Sequence, residues 1–410
     1  MLTGFSYQER AVMPCVMQSP AELAMDETFW KDVAARYPRD DGPINLDGGY
    51  FGRMSEGVVQ AYEDAIRQVN RGNSVQVREH FDKHQAEAIR QQLAELMGVP
   101  AGELTFARSA SEALYSLIRN YQRLQPGDQV LISDLDYGSV QGAFDWLQQA
   151  RGVELVTLVH AHPATHDGLL HSYREAFATH PRLKLMALTH VTHRTGLVMP
   201  VKAIATEARA RGIDVILDGA HSLGQLEVDL ADMGVEMAGF NLQKWIGAPL
   251  SLGVIHVRRE RLADFAPDMG NPSYPADDIR CLTPYGTPNV PALMSLPTVF
   301  AEHEALGGWQ VKGARLRYLR DLWLPAARAL PGIEVLTPDD PRLACGIASF
   351  RFRDVEDQQG QIDQLLAQFN LFTVARAGSA CGPCIRVTPG INTTPADMHA
   401  LVDALTLMSK

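Results

Sequence analysis

The sequence is poor in aromatic residues (7%), has five cysteines, carries no surplus of positive charge and has no long apolar run. Each shortage excludes something. Cys15, Cys281, Cys345, Cys381 and Cys384 are too few and too irregularly spaced for a disulfide framework, which excludes a small secreted scaffold. With 37 Lys+Arg against 48 Asp+Glu the net charge is −11, a field that disfavours phosphate backbones and anionic membrane surfaces. No apolar stretch approaches the roughly 18 residues a membrane span needs. The start, MLTGFSYQERAVMPCVMQSPAEL, has no cationic segment followed by an apolar core, so it reads as lacking a signal peptide. Low-complexity tracts and internal repeats are absent. What is present is 410 residues with 46% hydrophobic and 21% charged side chains, enough for two or three domains that bury most of their unfolded surface. The expectation is a soluble cytoplasmic enzyme with a small-molecule substrate, and neither nucleic acid nor membrane as a partner.

The first forty-odd residues read as irregular and end in the turn-rich PRDDGP. Two amphipathic helices follow. Val58, Val59, Tyr62, Ala65, Ile66 and Val69 mark the first; Ala86, Ile89, Leu93, Leu96 and Met97 mark the second, before Gly98. Short β-rich runs then appear at 103–107, 129–132, 153–160, 183–191, 214–218, 237–242 and 251–257, most of them separated by helix-patterned stretches. Strand–helix alternation with near-continuous apolar strands predicts an α/β fold around a mostly parallel seven-stranded sheet. Past residue 290 the pattern changes to long helical segments and a smaller α+β region. The chain is thus divided into an N-terminal arm (1–45), a large domain (46–290) and a small C-terminal domain (291–410), the arm being expected to join the small domain in space.

Ligands of such sheets bind outside the carboxyl ends of the strands. The run 214–218 ends in Asp218-Gly219-Ala220-His221, and the run 237–242 leads into Lys244 among aromatic, Gly and Pro residues. A lysine in apolar surroundings has its ammonium form disfavoured, as an amine nucleophile requires. Taken singly, Asp218 also reads as a helix cap and Lys244 as a solvent-seeking side chain. After the run 103–107 comes Arg108-Ser109-Ala110-Ser111-Glu112, small and hydroxyl residues at a helix start, which suit a phosphate. The same residues read as an ordinary capping sequence. Together, a phosphate cup, an acid and a strand-end lysine describe a pyridoxal phosphate site: the cofactor needs an amine to link to, a partner for its pyridine nitrogen and an anchor for its phosphate.

The order of these pieces resembles the class V aminotransferase family of pyridoxal phosphate enzymes, which includes cysteine desulfurases and isopenicillin N epimerase-like proteins. The resemblance rests on RSASEA (108–113), SDLDYGSV (133–140), THVTHRTGLVMPV (189–201), DGAHSLGQ (218–225), NLQKW (241–245), YGTPN (285–289) and IRVTPGINTT (385–394). It implies a fold-type I transferase with pyridoxal 5'-phosphate linked to Lys244, which then serves as acid and base at the substrate Cα. It also implies Asp218 on the pyridine nitrogen. Ala110, Ser111, Asn241 and Gln243 are implied around the phosphate, Tyr137 on the cofactor ring and His221 beside it. His193 falls where relatives often place an asparagine against the phenolic oxygen. Thr287 matches a residue that reaches the neighbouring subunit's phosphate, which implies a homodimer, although GTPN is also ordinary turn chemistry. Arg386 matches the arginine that binds the substrate α-carboxylate; read alone it is a surface ion pair.

The family's reactions diverge after loss of the Cα proton. ARAGSACGPCIRV (375–387) places Arg376, Gly378 and Cys381 at the spacing where desulfurases carry their sulfur-accepting cysteine, a thiolate that must be mobile and exposed. Here, however, Cys381 stands close to Arg386, where such desulfurases have a longer loop, and a free cysteine is commonly a small buried residue. The branch expected is therefore epimerase-like, with transamination or epimerisation of an amino acid or amine-bearing metabolite. Cysteine desulfuration or carbon–sulfur lysis is the alternative. Two other readings are weaker: a structural zinc held by His190, His193, Cys381 and Cys384, and a scaffold that has lost its chemistry, against which Lys244, Asp218 and Arg386 stand together. No metal is expected.

Overall fold

A computed structural model describes residues 18–39, 41–284 and 286–409. The segment 1–17, with Cys15 and the stretch read for a signal, lies outside the described residues, as does Tyr285 of the YGTPN motif. Each of the seven β-rich runs forms a strand of one sheet: β1 (Leu104–Ala107), β2 (Gln129–Ser133), β3 (Glu154–Leu158), β4 (Leu183–Thr189), β5 (Asp214–Asp218), β6 (Met237–Asn241) and β7 (Gly253–Val257). Their order across the sheet is β1-β7-β6-β5-β4-β2-β3. Every neighbouring pair from β6 to β3 is parallel, and β7 alone runs against both of its neighbours.

The apolar runs are near-continuous because both faces of the sheet are buried. Along β4, Leu185 and Ala187 enter a core with Leu117, Phe144, Val130 and Ile216, whereas Met186 and Leu188 enter the opposite core with Ile204, Ala205, Leu131 and Leu217. That period-two division is what helices on both sides of a sheet impose. Helices Ala110–Asn120 and Gly138–Arg151 cover one face; His166–Thr179 and Val201–Ala210 cover the other. The two amphipathic helices expected early in the chain are Glu56–Val75 and Ala86–Met97, the latter ended by Gly98.

A smaller antiparallel sheet follows, with β8 (Ile333–Val335), β9 (Ala348–Phe352), β10 (Val374–Arg376) and β11 (Cys384–Val387) in the order β10-β11-β9-β8. Helices Gly308–Ala329 and Pro395–Met408 pack Leu319, Trp323, Leu401 and Leu405 against it. The reading of the first forty-odd residues as irregular is corrected here: Pro20–Met25 and Glu27–Ala34 are helices. Ser19 and Glu22 form a reciprocal capping box, Asp26 accepts from the Thr28 and Phe29 amides, and Leu23, Trp30 and Val33 are buried against Leu306 and Val311. Farther on, Ile44–Asn45 pairs in parallel with Leu371–Phe372. No helix among the described residues is long and apolar enough to cross a membrane.

The carboxyl ends of β1, β2, β4, β5 and β6 open on one edge of the large sheet, and the turns leaving them carry most of the expected site residues. The turn after β5 is locked by close packing. At Gly219 any Cβ would lie inside the buried Phe240 ring. We expect Gly219→Ala to cost about 1–3 kcal/mol of unfolding free energy, since overpacking of a filled core costs that much. Gly142→Ala, in a helix with open space around it, is the control and should leave stability unchanged or raise it by up to ~1 kcal/mol. Denaturant titration measures both.

Candidate active site

Asp218 is the last residue of β5 and is buried; its Oδ1 accepts the Ala220 amide at 2.9 Å. Burial pushes its pKa up, while that amide and the Lys244 charge pull it down. Lys244 stands three residues beyond the end of β6. Its Nζ lies 3.0 Å from His221 Nε2. The residue as a whole is half-buried, and burial of its amine pushes its pKa down to about 8 against the pull of Asp218. Burial and the Lys244 charge push His221 well below the usual histidine range, so its ring is neutral. Because an ammonium only donates, Nε2 accepts from Lys244 and the ring proton sits on Nδ1, which has no partner among the described residues.

Ala110 opens the helix after β1, and its amide donates to Asn241 Oδ1 at 2.9 Å, tying the helix start to the end of β6. Ser111 belongs to the same first turn, whose amides have no intrahelical carbonyl to meet, and its Oγ lies 3.3 Å from Ser139 Oγ. Gln243 turns differently: its Oε1 accepts the Leu252 amide at 3.1 Å, a contact to the turn before β7. Tyr137 is half-exposed at the start of helix Gly138–Arg151 and meets the His193 ring edge-on at 4.9 Å. Burial, then the Arg194 and Arg386 charges, push His193 down to about 2; its Nδ1 has no partner. Thr287 lies on an exposed loop of this chain and meets none of these residues in it.

Arg386 reaches the same place from β11. It is buried, its Nη1 donates to the His193 carbonyl at 3.0 Å, its Nη2 pairs with Asp47, and its Nε is unpartnered. Arg376, on β10, lies 3.9 Å from the same Asp47 oxygen. Asp47 was not singled out from the sequence, although it stands in INLDGGYFG; a buried carboxylate between two arginines is visible only once the two sheets are joined. Asp136 also went unremarked within SDLDYGSV. It is fully buried, bonded by the Thr189 hydroxyl at 2.6 Å and the Ser133 amide at 2.7 Å, and burial pushes it up to about 7.

Cys381 sits on a short loop that is fastened on several sides. The Ala380 amide donates to Asp134 Oδ2 at 2.9 Å, Arg194 holds the Ala377 carbonyl at 2.7 Å, Arg351 holds the Cys381 carbonyl, and Ser379 Oγ is 3.1 Å from Sγ. Cys381 lines a hollow with Asp134, His160, His162 and Thr195. Cys384 is buried on β11, where burial pushes its thiol up to about 11, the reverse of a metal-binding thiolate. Among the described residues no group of three or more His, Cys, Asp or Glu side chains is arranged to hold a metal ion.

These residues fit pyridoxal 5'-phosphate. A weakly basic amine stands beside a buried carboxylate, first-turn amides and hydroxyls lie at the end of β1, Tyr137 and His193 offer ring faces, and the Arg386 Nε and both histidine Nδ1 atoms are buried without a partner.

Comparison with known proteins agrees. The model of the aminotransferase class-V family matches residues 53–401. Isopenicillin N epimerase from Streptomyces clavuligerus is 27% identical over 332 residues, 77% of this chain and 82% of that protein. A cysteine desulfurase from Pectobacterium carotovorum is 28% identical over 277 residues, 64% of this chain and 66% of that one. Among solved structures, a cysteine desulfurase of Escherichia coli superposes with a TM-score of 0.78 at 22% identity, covering 92% of this chain and 98% of that chain. The lyase C-DES, solved as a mutant with glycine covalently linked to its pyridoxal phosphate, superposes with a TM-score of 0.76 at 18% identity, covering 90% and 98%. The fold is that of the fold-type I pyridoxal phosphate enzymes.

In cofactor-free protein, acylation of Lys244 by an amine reagent should rise with pH through a midpoint near 8, well below an ordinary lysine's. Asp218 raises this pKa, so Asp218→Asn should move the midpoint lower. Peptide mapping of the labelled lysine across pH reads both.

Proposed function

This chain belongs to the class V aminotransferases, enzymes that use pyridoxal 5'-phosphate, and from that premise we propose that it moves the Cα proton of an amino acid or amine-bearing metabolite, in transamination or epimerisation. The carrying observation is Lys244: an enclosed amine pushed down to about 8, 3.0 Å from a neutral histidine and coupled to a buried carboxylate. When bound, the cofactor supplies an electron sink for the charge left at Cα. In this reading the large domain spans 46–290 and the small one 291–410.

The chain's own residues have these parts. Lys244 links to the cofactor and, once displaced by the substrate amine, takes the Cα proton; a base with its pKa near ambient pH suits that task. Asp218, held at the carboxyl end of β5, keeps the pyridine nitrogen charged. Ser111, with its hydroxyl and amide, holds the phosphate, Asn241 fastens the Ala110 amide beside it, and Gln243 braces the turn that follows β6. Tyr137 covers one face of the ring, and His193 and His221 line its rim. Arg386 receives the α-carboxylate, displacing or sharing Asp47. The active unit is a homodimer in which Thr287 completes the partner's phosphate site.

Carbon–sulfur cleavage is the second reading, because Cys381 keeps part of its surface open and lines a hollow. Against it stands the loop that carries Cys381, which is short and fastened to Asp134, Arg194 and Arg351, where a sulfur carrier must swing.

Two experiments test the proposal. Lys244→Ala should lose the visible absorbance of the linked cofactor and more than 10³-fold of turnover; an unchanged spectrum and rate would sink the assignment. The cofactor-loaded wild type and Cys381→Ala should then be given L-cysteine. Neither is expected to release sulfide or carry a persulfide, whereas amino donors without sulfur should exchange their Cα proton with deuterium from solvent. Sulfur release that needs Cys381 would make the desulfurase reading correct, and release without it a lyase. For the substrate site, Arg386→Ala should raise KM for α-carboxylate substrates by about 10–100-fold with cofactor occupancy retained, the loss of a charged hydrogen-bond pair. Arg376, 3.9 Å from Asp47, remains to neutralise that carboxylate. An unchanged KM would remove the role.

A further inference from the structure

The backbone just after Lys244 is held by a residue that has no part in the reaction described above. Lys312, on helix Gly308–Ala329, is only 5% exposed. Its Nζ donates to the Trp245 carbonyl at 2.5 Å and the Ile246 carbonyl at 3.4 Å, and lies 3.3 Å from His303 Nδ1. Burial and the Lys312 charge push His303 down to about 3, so its ring is neutral and its Nδ1 accepts. Burial also pushes Lys312 down to about 7, against the pull of Glu302, so below that pH the three protons of its ammonium meet these three acceptors. The other charged or titratable groups around this spot are Glu302, which takes a 2.6 Å bond from Ser55 Oγ, and Tyr37 and Arg53, which line the same small hollow.

A buried ammonium is costly, and a methionine would fill the same space without the desolvation penalty. What the cation does here that a hydrocarbon cannot is hold two backbone carbonyls. Those carbonyls follow Lys244 in the turn leaving β6. Other walls of the turn are backbone. The Gly52 amide donates to the Gln243 carbonyl at 2.7 Å, and Gly224, at φ +96°, approaches so closely that a Cβ there would lie 2.7 Å from the Trp245 carbonyl carbon. The turn is therefore enclosed by three separate segments, and Lys312 provides the charged contact from the small-sheet side.

We infer that Lys312 is a positioning residue for Lys244: its ammonium, seated between the Trp245 and Ile246 carbonyls and the His303 ring, fixes the backbone from which Lys244 reaches the cofactor. The inference rests on the reading of Lys244 as the cofactor-bearing lysine. It names no contact between Lys312 and substrate or cofactor. The effect is on how readily and in what geometry Lys244 forms its link.

The test compares full-length wild type with Lys312→Met, which keeps the length and removes every donor, and with Lys312→Gln, which keeps a donor near the same carbonyls. Each is stripped of cofactor and given pyridoxal 5'-phosphate, and the rate at which the visible band returns is followed, together with the pH midpoint of that band and the Tm. Lys312→Met should slow return of the band about tenfold, the size expected when a charged hydrogen-bond set is removed, and shift its pH midpoint by at least ~0.5 unit. Lys312→Gln should fall between, and KM for the amino substrate should hold. A lowered Tm with wild-type rate and midpoint would reduce Lys312 to a structural contact and overturn the inference. If either lysine variant fails to fold, His303→Leu, which removes one anchor of the ammonium and leaves Lys312 in place, gives the same comparison, with a smaller shift in the same direction expected and wild-type values overturning it. A wild type with no visible band would remove the Lys244 reading itself, so the two failures are distinguishable.

Discussion

Three cations, Lys244, Arg376 and Arg386, converge on one cleft, and the carboxylates coupled to Lys244 there are Asp218 and Asp47. That balance governs the site. Burial pushes the lysine down; Asp218 restores part of its basicity, and the amine is left near 8. The Arg386 guanidinium, itself pushed down by burial, keeps Asp47 as its counter-ion. Removing either carboxylate leaves cations facing one another in a poorly solvated space, where the cost of an unpaired charge is several kcal/mol. In the proposed reading, a substrate with its own α-carboxylate stands in for Asp47 beside Arg386.

Both sheets are needed for this balance. Lys244 and Asp218 come from the carboxyl edge of the large sheet, whereas Arg376 and Arg386 come from neighbouring strands of the small one and Asp47 from the segment entering the large domain. The Arg386–His193 and Arg386–Asp47 bonds are among the contacts that seat the two sheets against each other. Site and packing therefore cannot be changed independently. The arginine proposed to bind substrate also joins the two sheets across the cleft.

The large sheet was legible because its strands are buried on both faces, so that runs such as DVILD and LKLMALT read as strands without ambiguity and their ends marked Asp218 and Lys244. The N-terminal helices were not legible: at six and eight residues they are too short to show a period, and their stability comes from docking Leu23 and Trp30 onto Leu306 and Val311. Only the Ser19–Glu22 and Asp26 caps signalled them. Lys312 was hidden for another reason. It lies in VKGARLRYLR, a helical stretch with one lysine and three arginines, residue types usually exposed, and its burial follows from where the helix crosses the turn after β6. Asp47 needed the same tertiary information. Gln243 was legible as a neighbour of Lys244, but its contact with the Leu252 amide depends on the hairpin between β6 and β7.

The titration of the cleft narrows which groups exchange protons in the proposed reaction. His193 and His221 are held neutral by burial and by the cations around them, His193 down to about 2, so neither changes charge at ordinary pH. They orient and hydrogen-bond. Lys244, near 8, is the amine that both gives and takes a proton there. Asp136, pushed up to about 7, titrates too, but its oxygens are engaged by Thr189 and the Ser133 amide, behind the turn that carries Tyr137. An epimerase has to deliver a proton to the face of Cα opposite the one that lost it, whereas a transaminase can work from one face with a single lysine. In the proposed arrangement Tyr137, half-exposed and packed edge-on against the neutral His193, is a candidate for the second face. The choice between the two reactions therefore turns on whether a second proton donor stands opposite Lys244, whose proposed role is common to both.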